Sequence, residues 1–452
     1  MFSYSIFLKN LTTTAVSLFL LSPLFSQSAY GMKDEEDGNV PIQQAPLKFI
    51  AIEEESNKID IGENDYDKGN TYFQNRDFQQ ALTYFERAVE LGNQSAITVL
   101  ADMYDYGKGV PQNYKKAAYY YEKAVKAGNI AAMNNLAMLY KEGAEGVEKD
   151  VKRAVHLYEQ AVQLGNPFAM NNLANLYYEG AEGIKKDVKK AVELFEQAVQ
   201  LGHPMAMNNL ANLYCEGTEG VEKDINKAVE LYERAAELGN QSAICVLAEM
   251  YDYGKGVPQN YKKAAYYYEK AVKAGNPFAM YNLAVLYKEG AEGIKKDVKR
   301  AVHLYERAAE LGSQSAICVL ADMYDYGKGV PQNYKKAAYY YEKAVKAGNA
   351  AAMNNLAMLY QEGAEGIEKN VNKAVELYER AAKLGDPFAM NNLANLYYNG
   401  AEGIKKNVKR AVHLYEQAVQ LGHPMAMYNL AYVCREMKNF DRAISLYEAA
   451  RK

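Results

Sequence analysis

From Gln94 to His423 the chain copies itself every 36 or 37 residues, in nine units that begin at Gln94, Ile130, Pro167, Pro204, Gln241, Pro277, Gln314, Ala350 and Pro387. A period of this length is too short for a self-sufficient domain, so it restricts the chain to a stack of small units that depend on their neighbours. The 452 residues would otherwise suggest roughly two or three globular domains, and the repeat overrides that estimate. Composition carries the same mark: tyrosine occurs 40 times and tryptophan is absent, as expected when one unit is copied with its aromatic positions fixed.

The unit from Pro167 to His203 shows what is being copied. Ala169, Met170, Leu173, Ala174, Leu176 and Tyr177 recur at spacings of three and four, which places them on one face of a helix. Pro167 suits a first helical turn, where the missing N–H is not needed. Gly180 and Gly183 break the pattern, because glycine tolerates the left-handed backbone of a turn. Ala191, Val192, Leu194, Phe195, Ala198, Val199 and Leu201 then repeat the helical spacing as far as Gly202. The spacing therefore predicts an all-α chain of stacked antiparallel helix pairs. Ala174, Ala191 and Ala198 are expected where helices approach most closely, with Tyr177 and Phe195 filling the space between.

Outside the nine units, 94–423, four segments differ. Residues 1–31 carry Lys9, an apolar stretch from Leu11 to Phe25 and then small residues, the layout of a secretory signal, with an uncleaved anchor as the alternative. That stretch, about 15 residues, is short for a bilayer span. The expected mature protein is exported to the periplasm or secreted, or lies in the endoplasmic reticulum lumen if the source is eukaryotic, with no stable membrane insertion after cleavage. Residues 32–61 read as an acidic flexible leader. Residues 62–93 and 424–452 keep the helix-pair pattern with a shorter turn, and the second is expected to act as a capping unit.

Ala169, Leu173, Ala174, Tyr177, Gly180, Gly183, Ile184, Lys190, Ala191, Phe195, Glu196, Ala198 and Gly202 stand in an order that resembles the Sel1-like repeat. Gly69, Tyr72, Ala81, Phe85 and Ala88 in the first flanking segment, and the last segment as a whole, resemble its relative, the tetratricopeptide repeat. The resemblance implies a right-handed α-solenoid that serves as an adaptor or assembly platform, often exported in bacteria and in some members active in contact with host cells. Some exported members staple each helix pair with two cysteines, and that pair is missing here. All four cysteines are read as unpaired, a Cys215–Cys245 bridge being the alternative.

Signs of chemistry are sparse. A 26-residue stretch containing Gly-Lys-Gly recurs verbatim at 104–129, 251–276 and 324–349, yet Gly107, Lys108 and Gly109 lack the spacing and the preceding strand of a phosphate loop, and read as a turn. Tyr119, Tyr120 and Tyr121 point in different directions on a helix and cannot form one stacking platform; Tyr121 falls on the core position of Phe195. His156, His203, His303, His413 and His423 recur without convergent partners and read as solvated. Neither a cofactor nor a metal is expected. A net charge of −4 gives no basic field for nucleic acid.

The remaining candidate is a surface. With the apolar positions of each first helix committed to stacking, the fifth, ninth and twelfth residues of the unit are expected to form one exposed stripe along a concave groove. The fifth place gives Asn134, Asn171, Asn208, Asn354 and Asn391; the ninth gives Asp102, Asn175, Asn212, Asp322 and Asn395; the twelfth gives Asp105, Tyr178, Asp252, Asp325 and Tyr398. Asparagine both donates and accepts, so such a ladder can pair the backbone of an extended peptide. Asp102 with Asp105, Glu249 with Asp252 and Asp322 with Asp325 would form a solvated acidic stripe, or less simply an acid–base pair or cation site. Sixth-place asparagines such as Asn135, Asn172 and Asn209 resemble those that tetratricopeptide grooves use on peptides, although Tyr66 stands where a carboxylate-clamp lysine would be. These residues predict a non-enzymatic scaffold that binds a protein or extended peptide. The alternative, implied by some exported relatives, is a hydrolase acting on cell wall or β-lactams, for which no convergent set of titratable groups is visible.

Overall fold

The computed structural model describes residues 61–450, so the signal-like segment and all but the last residue of the leader lie outside the described residues. Helix α1 spans 61–74 and pairs with α2 (Phe78–Glu90). The next four pairs are α3 (Gln94–Tyr106) with α4 (Tyr114–Lys126), α5 (Ile130–Glu142) with α6 (Val151–Gln163), α7 (Pro167–Glu179) with α8 (Val188–Gln200), and α9 (Pro204–Glu216) with α10 (Ile225–Glu237). They are followed by α11 (Gln241–Tyr253) with α12 (Tyr261–Lys273), α13 (Pro277–Glu289) with α14 (Val298–Glu310), and α15 (Gln314–Tyr326) with α16 (Tyr334–Lys346). The last three are α17 (Ala350–Glu362) with α18 (Val371–Lys383), α19 (Pro387–Asn399) with α20 (Val408–Gln420), and α21 (Pro424–Glu436) with α22 (Phe440–Ala450). Each helix packs on the next in order, which makes an all-α solenoid.

Local chemistry sets the helix ends. Asn166 Oδ1 accepts from the Ala169 N–H at 2.9 Å to open α7, and Asp187 Oδ1 accepts from Lys190 N–H at 3.0 Å to open α8. The same two caps recur along the chain and satisfy N–H groups that a helix cannot pair internally. Between the helices, Ala181 and Ile184 exchange two backbone hydrogen bonds that close the longer turn. The Gly-Lys-Gly stretch is the shorter turn. Gly107 ends α3 with a left-handed backbone, and Gly109 lies against α2, where an added Cβ would sit 2.2 Å from the Phe78 Cβ.

Stacking is dry and close. Ala174, Ala191 and Ala198 have no exposed surface, and Phe195 with its counterparts Tyr121, Tyr158, Tyr232, Tyr268, Tyr305, Tyr341, Tyr378 and Tyr415 fills the space between the helices. A polar staple crosses eight of the boundaries, from Tyr140 to Tyr397, at their edge. Tyr177 in α7 donates to Glu159 of the preceding pair at 3.3 Å and accepts from Lys190 of its own pair at 2.6 Å, the ammonium lying 4.0 Å over the ring. Arg153, Arg300 and Arg410 take the place of that lysine over Tyr140, Tyr287 and Tyr397.

The ends differ from one another. Glu63, Asn64, Asp67 and Lys68 make the exposed side of α1 polar. By contrast α22 buries Ala443 and leaves Phe440 and Ile444 exposed.

Two glycines separate backbone strain from close packing. Gly128 and Gly109 both have positive φ, but nothing lies within 4 Å of a Cβ added at Gly128. Gly128→Ala should therefore lower stability by about 1 kcal/mol. Gly109→Ala should lose about 1–3 kcal/mol more through overpacking on Phe78. Denaturant midpoints of the two variants check this, and equal losses would contradict it.

Candidate functional site

First helices of consecutive units lie against one another, α17 touching α19, and their facing side carries the fifth, sixth, ninth and twelfth residues of each unit. The expected exposed stripe is only partly realised there. Asn134, Asn171, Asn208, Asn354 and Asn391 are buried, Asn171 to 3 % exposure, which corrects their expected place on the open surface. The reason is close approach: the first helices come near enough for these asparagines to be covered by the next unit, while Thr98, Cys245, Tyr281 and Cys318 at the same place are half-exposed.

Once buried, all of these amides except Asn208 accept from the sixth-place amide of the next unit. Asn172 Nδ2 donates to Asn134 Oδ1 at 3.0 Å, Asn209 to Asn171 at 3.0 Å, Asn392 to Asn354 at 3.0 Å and Asn429 to Asn391 at 2.8 Å. Asn175 and Asn395 accept from the same Asn209 and Asn429, while Asn212 accepts from Tyr232 at 2.6 Å. The asparagines are thus a tie between repeats, and their amides are not free to line an extended peptide.

The acidic pairs are also drawn inward. Asp102 and Asp105 both accept from the Tyr121 hydroxyl, Asp105 at 3.2 Å, and Asn135 donates to Asp102 at 3.2 Å. Asp322 and Asp325 accept from Tyr341 at 2.8 and 3.0 Å, and Asp252 from Tyr268 at 3.0 Å. Asp252 and Asp325 are buried, so the expected solvated stripe is replaced by half-buried and buried acceptors for core tyrosines. Desolvation raises Asp102, Asp252 and Asp325 above the ordinary carboxylate range and lifts Asp105 to about 6, against the opposing pull of the tyrosine bond. Among the described residues no three histidine, cysteine, aspartate or glutamate side chains gather as a metal site.

What stays open on this face is the ninth and twelfth residues. Met138 and Met358 are exposed, and Lys141, Tyr178, Cys215, Glu249, Lys288, Gln361 and Tyr398 are half-exposed. Tyr178 and Tyr398 lie beneath Lys186 and Lys406 at 4.9 and 5.0 Å. Tyr432, the ninth residue of the last unit, is exposed beside Tyr398 with ring centroids 6.3 Å apart. Extending the same register past His423 would have found it.

Two histidines also depart from expectation. His156, His303 and His413 are exposed, whereas His203 and His423 are buried N-caps whose Nδ1 accepts from Ala206 and Ala426 N–H at 3.2 and 3.0 Å. They occupy the place of Asn166 in sister units and meet the rings of Phe168 and Phe388 edge-on. Burial lowers both pKa values, that of His203 to about 4. All four cysteines are free thiols, Cys434 buried and the others half-buried. Tyr119 is exposed, and Tyr120 stacks on Tyr104 at 5.9 Å.

The repeated helix pairs, their cross-boundary staples and a variable inner face define a helical-repeat scaffold. The Sel1 repeat family model matches ten consecutive segments, 62–93, 94–129, 130–166, 167–203, 204–240, 241–276, 277–313, 314–349, 350–386 and 387–423, and a tetratricopeptide repeat model matches 406–452. The chain belongs to the Sel1 repeat family. It is similar to the crystal structure of a protective antigen of uropathogenic Escherichia coli with an SLR fold, at 29% identity over 90% of this chain and 87% of that one, TM-score 0.60. It is also similar to a Sel1 repeat protein from Oxalobacter formigenes, at 26% identity over 68% of this chain and 87% of that one, TM-score 0.52. No curated protein matches the chain. Scaffolds of this class mediate protein–protein interaction, and the fold is generally non-catalytic.

Asn209→Val should leave the buried Asn171 carbonyl without a donor and lower local stability by about 1–3 kcal/mol, read as lost hydrogen-exchange protection in α7 and α9. Asn226→Val, at an exposed position, should have little effect.

The cap histidines predict a pH effect of definite sign. Their folded pKa values lie below the ordinary 6.5, so the stability they contribute is complete above 6.5 and is lost as pH falls towards about 4. Asp105, raised from 3.8 to about 6, acts oppositely: its contribution is present below 3.8 and lost as pH rises through about 6. Replacing His203 and His423 by asparagine should remove the destabilising part, so the Tm change from about pH 7 to about pH 5 should be less negative, or more positive, than in the parent, and any drop should shrink. An undiminished drop would contradict the assignment.

Proposed function

We propose that this protein is a non-enzymatic adaptor that grips a protein or extended peptide along the inner face of its first helices. The observation that carries the reading is the contrast between a constant frame and a variable surface. The alanine core, the caps and the Tyr–Glu–Lys/Arg staple recur from unit to unit. The ninth and twelfth residues instead change in charge, size and polarity, through Met138, Lys141, Tyr178, Glu249, Lys288, Met358, Tyr398 and Tyr432. Such a face presents an ordered series of different side chains on a rigid frame, which suits recognition of a partner by its own side chains.

The partner's contacts are side-chain contacts at these places rather than backbone pairing to the fifth-place asparagines. Export, followed by work at the envelope or against a host surface, is part of the proposal. It is supported by the signal-like Met1–Gly31 sequence and by likeness to an antigen of a pathogen. Among the described residues no helix is long and apolar enough to cross a membrane.

A photo-crosslinking amino acid placed at Met138, Tyr178 or Tyr398 in the full chain, expressed in its own host, should give discrete protein adducts. The same probe at exposed Lys189 or Lys299 on second helices should give none. Equal labelling from both faces would overturn the groove assignment, and sequencing the N-terminus of the mature chain tests export separately.

A further inference from the structure

The amide ladder has a gap. At Asn134, Asn171, Asn354 and Asn391 the fifth-place carbonyl accepts from the sixth-place amide of the following unit. After Asn208 that sixth place holds Val246, and Asn208 Oδ1 is buried with no partner. Before Asn282 the fifth place holds Cys245, and Asn282 Nδ2 is likewise buried with no partner. One boundary further on, Tyr281 faces Val319, and neither half of an amide pair is present. The core tyrosine hydroxyls do not mark the gap, since Tyr305 within it and Tyr158 in the tied arm are both buried and unpaired.

At the opposite edge the same boundaries are held like the other stapled ones. Tyr251 donates to Glu233 at 3.3 Å, Tyr287 to Glu269 at 3.0 Å and Tyr324 to Glu306 at 3.1 Å, each with a lysine or arginine over its ring. On either side of the gap, ties resume: Asn209 reaches Asn171 at 3.0 Å, and Asn355 reaches Tyr341 at 3.3 Å. At the first-helix edge, Asn240 Nδ2 donates to the Pro204 carbonyl and Asn276 Nδ2 to Cys245 Sγ, each at 3.4 Å, in place of the amide pairs. A boundary pinned at one edge and held by one long bond or none at the other bends about the pinned edge. Here bending also releases a buried acceptor, Asn208 Oδ1, and a buried donor, Asn282 Nδ2, to water, which removes the penalty of leaving them unpaired.

We propose that the solenoid hinges at the α9/α11, α11/α13 and α13/α15 boundaries, between two amide-laced arms at 94–240 and 314–436, opening and closing its inner face around the unit pair at 241–313. The motion widens the groove at its middle while the chemistry of each arm stays fixed.

Dipolar spectroscopy on spin-labelled full chain tests this. One pair of labels, at exposed Glu216 and Glu289, spans two boundaries without the amide pair; the other, at exposed Glu142 and Glu216, spans two with it. The native cysteines are replaced by C215Y, C245T, C318T and C434A. The first pair should give a distance distribution about twice as broad as the second. C245N with V246N, which supplies both missing amides, should narrow it to the width of the tied pair. N209V, which copies the gap into the tied arm, should broaden the Glu142–Glu216 distribution. Equal widths in the parent chain, or no response to either the repair or the copied gap, would overturn the hinge. If the repaired chain does not fold, the parent comparison and N209V still decide.

Discussion

Each helix pair in this chain has apolar surface on two sides and can cover neither by itself. Burial comes from the neighbouring pair, and alanines such as Ala174, Ala191 and Ala198 set the distance at which it comes. At that distance a polar atom caught in the boundary is costly unless it finds a partner in the protein. Tyr177 meets Glu159 and Lys190 at one edge, and Asn171 meets Asn209 at the other. The repeated polar contacts therefore follow from close alanine packing rather than standing beside it as a separate source of order.

The helix pairs were legible because their causes are local. The spacing of Ala169, Leu173 and Leu176, the position of Pro167 and the breaks at Gly180 and Gly183 each act within one turn or two. The wet side of the first helix was harder to read. Asn171 sits between Met170 and Leu173 at the border of the apolar face, and its burial is decided by how far the next unit leans over it, which no window of sequence contains. Asp102 and Asp105 needed knowledge of Tyr121 on another helix. His203 was different: it stands in a column otherwise filled by Asn129, Asn166 and Asn240, so its capping role could have been read by aligning the units at their N-caps.

The inward turn of the acids changes what the groove presents. Asp105 is held near neutrality in its titration by burial, and Asp252 and Asp325 are shifted the same way. Acidic character at these places is therefore weaker than composition suggests, and it falls further as pH drops below about 6, where Asp105 takes up its proton. More lasting contrast along the face comes from exposed Met138 and Met358 and from the lysine-covered rings of Tyr178 and Tyr398.

One side chain cannot both hold the array together and read a partner. Asn171 has its donor on Asn172 and its acceptor under Asn209, so engaging a ligand there would break a boundary to make a contact. Met138, Lys141 and Tyr178 carry no such duty toward the next unit's amides, and a partner can displace water from them without loosening the stack. The division of labour also explains where plasticity falls. Arms laced by amides resist bending at the cost of leaving fewer polar groups for recognition, whereas the stretch around Cys245 and Val246 has only the long Asn240–Pro204 and Asn276–Cys245 bonds to lose. A groove built this way combines two stiff reading surfaces with a compliant join, and the join coincides with the boundaries at which buried amides are left unpaired.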